Sequence, residues 1–86
     1  MNTFKLIVST PDGNSFEGDV VKFDVRGAEG ELAVMANHIP FVTTVKEAPC
    51  KIELEDGTVK TAYSKGGLLT VSNEFTTFFS GTFKFD

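Results

Sequence analysis

The chain has 86 residues with a formal net charge of −4 and a single Cys, which sets it among one-domain proteins with a small core. The acidic balance, with eight Lys and Arg scattered along the chain, opposes binding to nucleic acid or to an anionic membrane surface, both of which need clustered basic groups. No apolar stretch approaches the roughly 20 residues that span a bilayer, so direct membrane insertion is not expected. One Cys excludes an internal disulfide and fits a reduced compartment.

Taken in chain order, the dominant period is two. Phe4, Leu6 and Val8 alternate with Thr3, Lys5 and Ser9, and only Ile7 spoils the polarity of the second set. Pro11-Asp12-Gly13 follows as a turn, with a preset φ before a residue that accepts positive φ. Val21, Phe23 and Val25 then alternate with Lys22, Asp24 and Arg26, as expected for a strand with one face in a core and one in water. Glu29 to Asn37 reads as a strand and loop rather than a short helix, because Gly27, Gly30 and Pro40 punctuate it.

Cys50, Ile52 and Leu54 alternate with Lys51, Glu53 and Glu55, and Glu55-Asp56-Gly57-Thr58 has the form of a two-residue Asp-Gly hairpin loop. That loop sets Glu55 opposite Thr58, Leu54 opposite Val59 and Glu53 opposite Lys60. Gly66-Gly67 precedes an apolar strand, Leu68 to Val71, and reads as a turn, a bulge or a close backbone contact. Ser80-Gly81 is a further tight turn leading into Thr82 to Phe85. These runs amount to nine or ten short strands, mostly antiparallel, without a long amphipathic helix. The expected fold is all-β, a small two-sheet sandwich or flattened barrel, with residues 1–86 as one domain.

Chemistry-bearing groups are few. Cys50 lies on the apolar side of its strand and reads as a small buried hydrophobe. His38, with Glu29 and Glu31, would make a one-His, two-carboxylate metal set, but a single His carries little specificity and a structural or interface role is favoured. No glycine-rich phosphate loop is present. The lysine-bearing hairpin of lipoyl and biotinyl carriers is absent, since Ala33-Val34-Met35-Ala36 has no Lys. Phe83-Lys84-Phe85 only faintly echoes the aromatic surface of oligonucleotide-binding barrels. No catalytic, cofactor or metal site is assigned.

Residues 27–45, Gly-Ala-Glu-Gly-Glu-Leu-Ala-Val-Met-Ala-Asn-His-Ile-Pro-Phe-Val-Thr-Thr-Val, resemble the signature E-G-E-L-G-[IV]-x-P-G-H-x-P-[LF]-[VL]-T-x-[LI] of the epsilon subunit of F-type ATP synthases. Met1 to Ser9, the Pro11-Asp12-Gly13 turn and Phe16-Glu17-Gly18 are similar to that family's opening. Tyr63-Ser64-Lys65-Gly66-Gly67-Leu68-Leu69-Thr70-Val71 is similar to its x-S-G-G-[FI]-x-E-V strand. The departures are Ala33 for Gly, Ala36-Asn37 for Pro-Gly, Lys46-Glu47-Ala48-Pro49 without the usual Pro-Gly, and Thr70 for Glu.

The resemblance implies the N-terminal β-sandwich of that subunit, a non-catalytic part of the central stalk joining the c-ring to the gamma subunit during ion-driven ATP synthesis. Glu29, Gly30 and Glu31 would face the c-ring, and Met35, His38, Ile39 and Phe41 the gamma subunit. The implied setting is peripheral, on the cytoplasmic face of a bacterial plasma membrane, without obligate homo-oligomers. The family continues into an Ala- and Glu-rich helical hairpin, whereas Phe75 to Phe85 here has β character, so helix-based inhibition is not expected of these residues. A diverged sandwich acting as an interaction module outside the synthase is the alternative.

Overall fold

A computed structural model describes residues 2–37 and 39–86. Nine strands lie among them: β1 (Phe4–Thr10), β2 (Gly13–Gly27), β3 (Gly30–Met35), β4 (Phe41–Val45), β5 (Ala48–Leu54), β6 (Val59–Ser64), β7 (Gly67–Val71), β8 (Phe75–Ser80) and β9 (Phe83–Phe85). No helix occurs among the described residues, so the all-β reading stands.

The strands form one hydrogen-bonded path, β1-β8-β7-β4-β2-β5-β6-β9, with β3 also on β2 and β1 also paired to β2. The path doubles over because β2, at 15 residues, serves both layers. Its first half pairs with β1, Val8 opposite Phe16 and Phe4 opposite Val20. Its second half pairs with β5 and β3, where Phe23 faces both Ile52 and Val34. The register slips between Val20 and Lys22, and Val20 and Val21 are buried in succession. A bulge of this kind lets one strand bend from one sheet into the next.

The first sheet is therefore β4-β7-β8-β1 with the start of β2, and the second is β3 with the end of β2, then β5, β6 and β9. All neighbouring strands run antiparallel except β1 and β8. Between the layers Leu6, Val8, Phe23, Ile52, Leu69 and Phe78 are wholly buried. Phe78 is the hub, 5.8 Å from the Phe23 ring and edge-on to Phe83 at 6.1 Å, the tilted arrangements that aromatic quadrupoles favour. Cys50 is buried there too, and burial pushes its thiol up to about 11. It packs as an uncharged hydrophobe, as its place on an alternating strand implies.

One hairpin departs from the expected register. Glu53 stands opposite Val59, and Ile52 opposite Lys60, one residue away from the two-residue-loop pairing. The loop has three residues. The Gly57 N–H donates to Leu54 O at 3.0 Å, and the Leu54 N–H donates to Thr58 O at 2.8 Å. Gly57 takes a φ of 92°, which makes a type I turn closed by a glycine bulge. Asp56 Oδ1 accepts from the Thr58 N–H at 2.9 Å, which holds its carboxyl below the usual carboxylate range and favours this loop over the shorter one. The expected Glu53–Lys60 pair is therefore not made across this hairpin. Lys60 instead lies over the Phe85 ring, 5.9 Å from its centroid.

Candidate partner interface

The two sheets expose very different outer faces. On the second sheet Arg26 is opposite Glu31, Lys22 opposite Glu53, and Asp24 opposite Lys51. Each of these three pairs joins opposite charges, a pattern that stabilises modestly and stays hydrated, although Met35 opposite Lys22 and Val59 opposite Glu53 are both 52% exposed on the same face. Tyr63 sits on the same face, and its hydroxyl donates to Glu47 Oε2 at 2.6 Å, which raises its pKa.

On the first sheet, Val42 of β4 is opposite Thr70, Thr70 opposite Thr77, and Thr77 opposite Ile7. The next row reads Thr44, Leu68, Phe79 and Ser9. Phe75 lies in a third row, beside Lys5. The first two rows carry no charge on these four strands, whereas the third carries Lys5, whose Nζ stands 3.3 Å from Glu17 Oε2 on β2. Val42 is 62% exposed, Phe79 50%, Phe75 43% and Leu68 41%. A contiguous neutral face of this kind, spread over four strands, is the usual mark of a surface that another protein covers. Ile7, the residue that breaks the polarity of its strand, belongs to it and is half-buried.

The residues singled out from sequence fall around one edge of the molecule. Glu29 lies in the turn between β2 and β3, exposed, and Gly30 and Glu31 open β3. Met35 closes β3 and is 52% exposed, and Ile39 precedes β4 at 78%. Phe41 begins β4 and packs partly against the core. With Val42 and Thr43 it lines a concavity of about 340 Å³ whose other wall is Gly27 to Leu32. The expected ring-side turn and Phe41 thus share one concavity, while Met35 lies at the far end of β3. His38 lies outside the described residues. No His, Cys, Asp and Glu grouping suited to a metal occurs among the described residues.

One departure from the family signature, and one position that keeps it, are explained by geometry. Asn37 takes a φ of 67°, so the left-handed position that the signature gives to Gly is occupied by the residue type that most readily replaces it. Gly66-Gly67 is a close backbone contact, as expected. A Cβ at Gly67 would lie 1.8 Å from Phe79 O, and one at Gly66 would lie 2.5 Å from Val45 O.

Sequence reasoning did not find the neutral face of Val42, Leu68, Phe75 and Phe79. The adjacent pair Phe78-Phe79 held the signal, since neighbours on a strand point to opposite faces and one of two bulky rings must point outward.

The fold is of the class of small all-β sandwiches. Residues 3–84 match the family described as ATP synthase, Delta/Epsilon chain, beta-sandwich domain, and the chain belongs to that family. It is 36% identical over 78 residues to ATP synthase epsilon chains of Clostridium perfringens strains, a match covering 91% of this chain and 59% of the relative. The chain therefore spans about 59% of the length of these curated relatives. Its fold is also that of a chain in the Euglena gracilis mitochondrial ATP synthase OSCP/F1/c-ring structure, with a TM-score of 0.91 at 20% identity over 96% of this chain and 53% of that one. A chain of the Tetrahymena thermophila mitochondrial ATP synthase central stalk and c-ring structure gives 0.78 at 14% identity, covering 95% of this chain and 66% of the other.

Proposed function

We propose that residues 1–86 form the sandwich domain of a non-catalytic central-stalk subunit of a rotary ATP synthase, linking the c-ring to the gamma subunit. Family membership over residues 3–84 supports the assembly, and the neutral outer face of β4, β7, β8 and β1 is the observation that carries the interaction role. Gamma covers this face, and the Met35, His38, Ile39 and Phe41 positions of the signature stretch are assigned to the same partner. The exposed Glu29-Gly30-Glu31 turn meets polar loops of the ring, where carboxylates give register and steering more than raw affinity.

The subunit transmits torque because its interior is close-packed and the layers share β2, so neither sheet can slide without breaking the other's ladder. It stays peripheral at the membrane, on the cytoplasmic face of a bacterium, held by its partners. No helix among the described residues is long and apolar enough to cross a bilayer. Of the two features that suggest a diverged module outside the synthase, the altered turn and the absence of the family's helical hairpin from these residues, the first carries less weight because Asn37 keeps the left-handed position.

Gentle purification of the tagged chain from its own membranes tests the proposal, with co-purifying proteins identified by mass spectrometry. Recovery of gamma, c, alpha and beta subunits is the expected result. Recovery of none, with a separate long epsilon in the synthase, would make the chain a paralogue with another task.

A further inference from the structure

Ser64 ends β6 and Ser80 ends β8, and both are buried at the end of the sandwich where the β4–β5, β6–β7 and β8–β9 connections meet. The Gly66 N–H donates to Ser64 Oγ at 2.9 Å. Ser80 Oγ stands 2.9 Å from Gly66 O and 2.8 Å from Thr82 O, either of which can take its single proton. The two hydroxyl oxygens are 3.1 Å apart. With the Ser80 proton so committed, Ser64 is the donor between them. The Lys65 N–H closes the group by donating to Thr82 O at 3.2 Å. The Gly66 N–H is thereby held by one buried hydroxyl, and its carbonyl lies within reach of the other.

Gly66 in turn presses on a second backbone. Its Cβ position lies 2.5 Å from Val45 O and 3.3 Å from Glu47 N, so this close approach requires glycine. Val45 pairs with Gly27, and the Lys46 N–H donates to Arg26 O at 2.8 Å. Arg26 and Gly27 are the last residues of β2 before the turn that bears Glu29. A continuous series of backbone contacts therefore runs from the two serines through Gly66 and Val45–Lys46 to the base of the acidic turn. The seam between β2 and β4 has a single paired position, Gly27 with Val45, so this turn has little other hold on the first sheet.

We infer that Ser64 and Ser80 are positioning residues for the Glu29–Glu31 turn, acting through Gly66 and the Val45–Lys46 backbone rather than only holding the core together. What the positioned turn meets rests on the proposed stalk function; the positioning itself does not.

Amide hydrogen exchange in the whole 86-residue chain tests the inference. Ser80→Ala leaves Ser64 Oγ and Gly66 O short of a buried partner, which is enough to raise local opening by roughly tenfold or more. The expected result is that rise at the Lys46 and Gly30 amides, with Leu54 and Gly57 in the far hairpin unchanged. An equal rise at all four amides would show a purely global role and overturn the inference, as would no rise at Lys46. If Ser80→Ala does not fold, the unmutated chain decides the matter in low denaturant. Lys46 and Gly66 opening as one cooperative unit upholds the inference, and Lys46 fraying while Gly66 stays protected overturns it. A separate arm uses Glu29→Cys cross-linking in the assembled complex. No ring subunit captured there removes the partner reading alone, while capture that weakens several-fold on adding Ser80→Ala joins the two.

Discussion

The outer faces of the two sheets share one core and yet follow opposite rules. On the second sheet every long polar side chain of β2 meets its opposite charge on a neighbour: Lys22 with Glu53, Asp24 with Lys51, Arg26 with Glu31. On the first sheet Thr70 and Thr77 separate Val42 from Ile7, and Leu68 lies against Phe79. The second sheet's outer face also exposes Met35, Val59 and Tyr63, but sets them among these opposite charges. The neutral face leaves large apolar side chains between 41% and 62% exposed, a condition that burial against a partner relieves at about 25 cal/mol per Å² of apolar surface. The difference between the two halves is therefore one of charge, and the face with fewer charges is the one more easily desolvated against a partner.

Adjacent phenylalanines give the largest contrast that can break this comparison. Phe78→Ala empties the hub between the sheets and is expected to destabilise folding by about 3–5 kcal/mol, as for other buried aromatics. Phe79→Ala, one residue on, should change stability by roughly 1 kcal/mol or less. Chemical denaturation of both variants checks the pair, and equal losses would mean that the outer face is part of the core.

Charge placed on the neutral face is the next test. Leu68→Glu with Phe79→Glu should leave a folded protein whose affinity for gamma falls about a hundredfold, the scale of losing central anchors in an interface. Titration calorimetry or surface binding with purified gamma reads this directly. Lys51→Glu, on the charged face, should change that affinity less than about twofold. Its cost in stability, from bringing like charge beside Asp24, should be about 0.2–1 kcal/mol and fade in high salt.

At neutral pH the smallest effect concerns Cys50, which acts only at high pH. Its thiol is pushed up to about 11 from 9.0, so between those values the folded chain holds a proton that the unfolded chain releases. Stability should therefore fall as pH climbs from about 9 to 11. Cys50→Ala should flatten that slope in pH-dependent melting, and at neutral pH the native thiol should resist alkylation until the chain unfolds.

How much of this was legible in the sequence follows from what period two reports. Alternation at Phe4, Leu6 and Val8, at Phe23 and Val25, and at Cys50 and Ile52 placed those residues in the core, because a strand has only two faces. Alternation was silent where the phase slips. Val20 and Val21 are both buried at the bulge that carries β2 between sheets, so alternation picked out only the second part of one 15-residue strand. The Asp56-Gly57 dipeptide suits both two- and three-residue loops, and the Asp56 carboxylate reaching the Thr58 N–H selected the longer one, shifting the register by one residue.

The interaction surface was harder to see. Glu29 to Phe41 is contiguous in sequence and carries the family signature, so it drew attention first. The neutral face is assembled from single residues on four strands, and only strand order brings Val42, Thr70, Thr77 and Ile7 into one row. The serine–glycine group has the same character. Ser80 belongs to a tight-turn dipeptide and Ser64 to a stretch that resembles the family, and nothing in the sequence joins them until the pairing of β6 with β9 and β7 with β8 brings them within 3.1 Å.

The central claim, that the neutral face is the docked one, is tested most directly by photo-cross-linking in the native membrane. A photoreactive residue replaces Phe79 in one sample and Lys51 in another, and the captured subunits are identified by mass spectrometry. The expected result is gamma captured from position 79 and little or nothing from position 51. Capture from position 51 with none from position 79 would place the partner on the charged face and contradict the account.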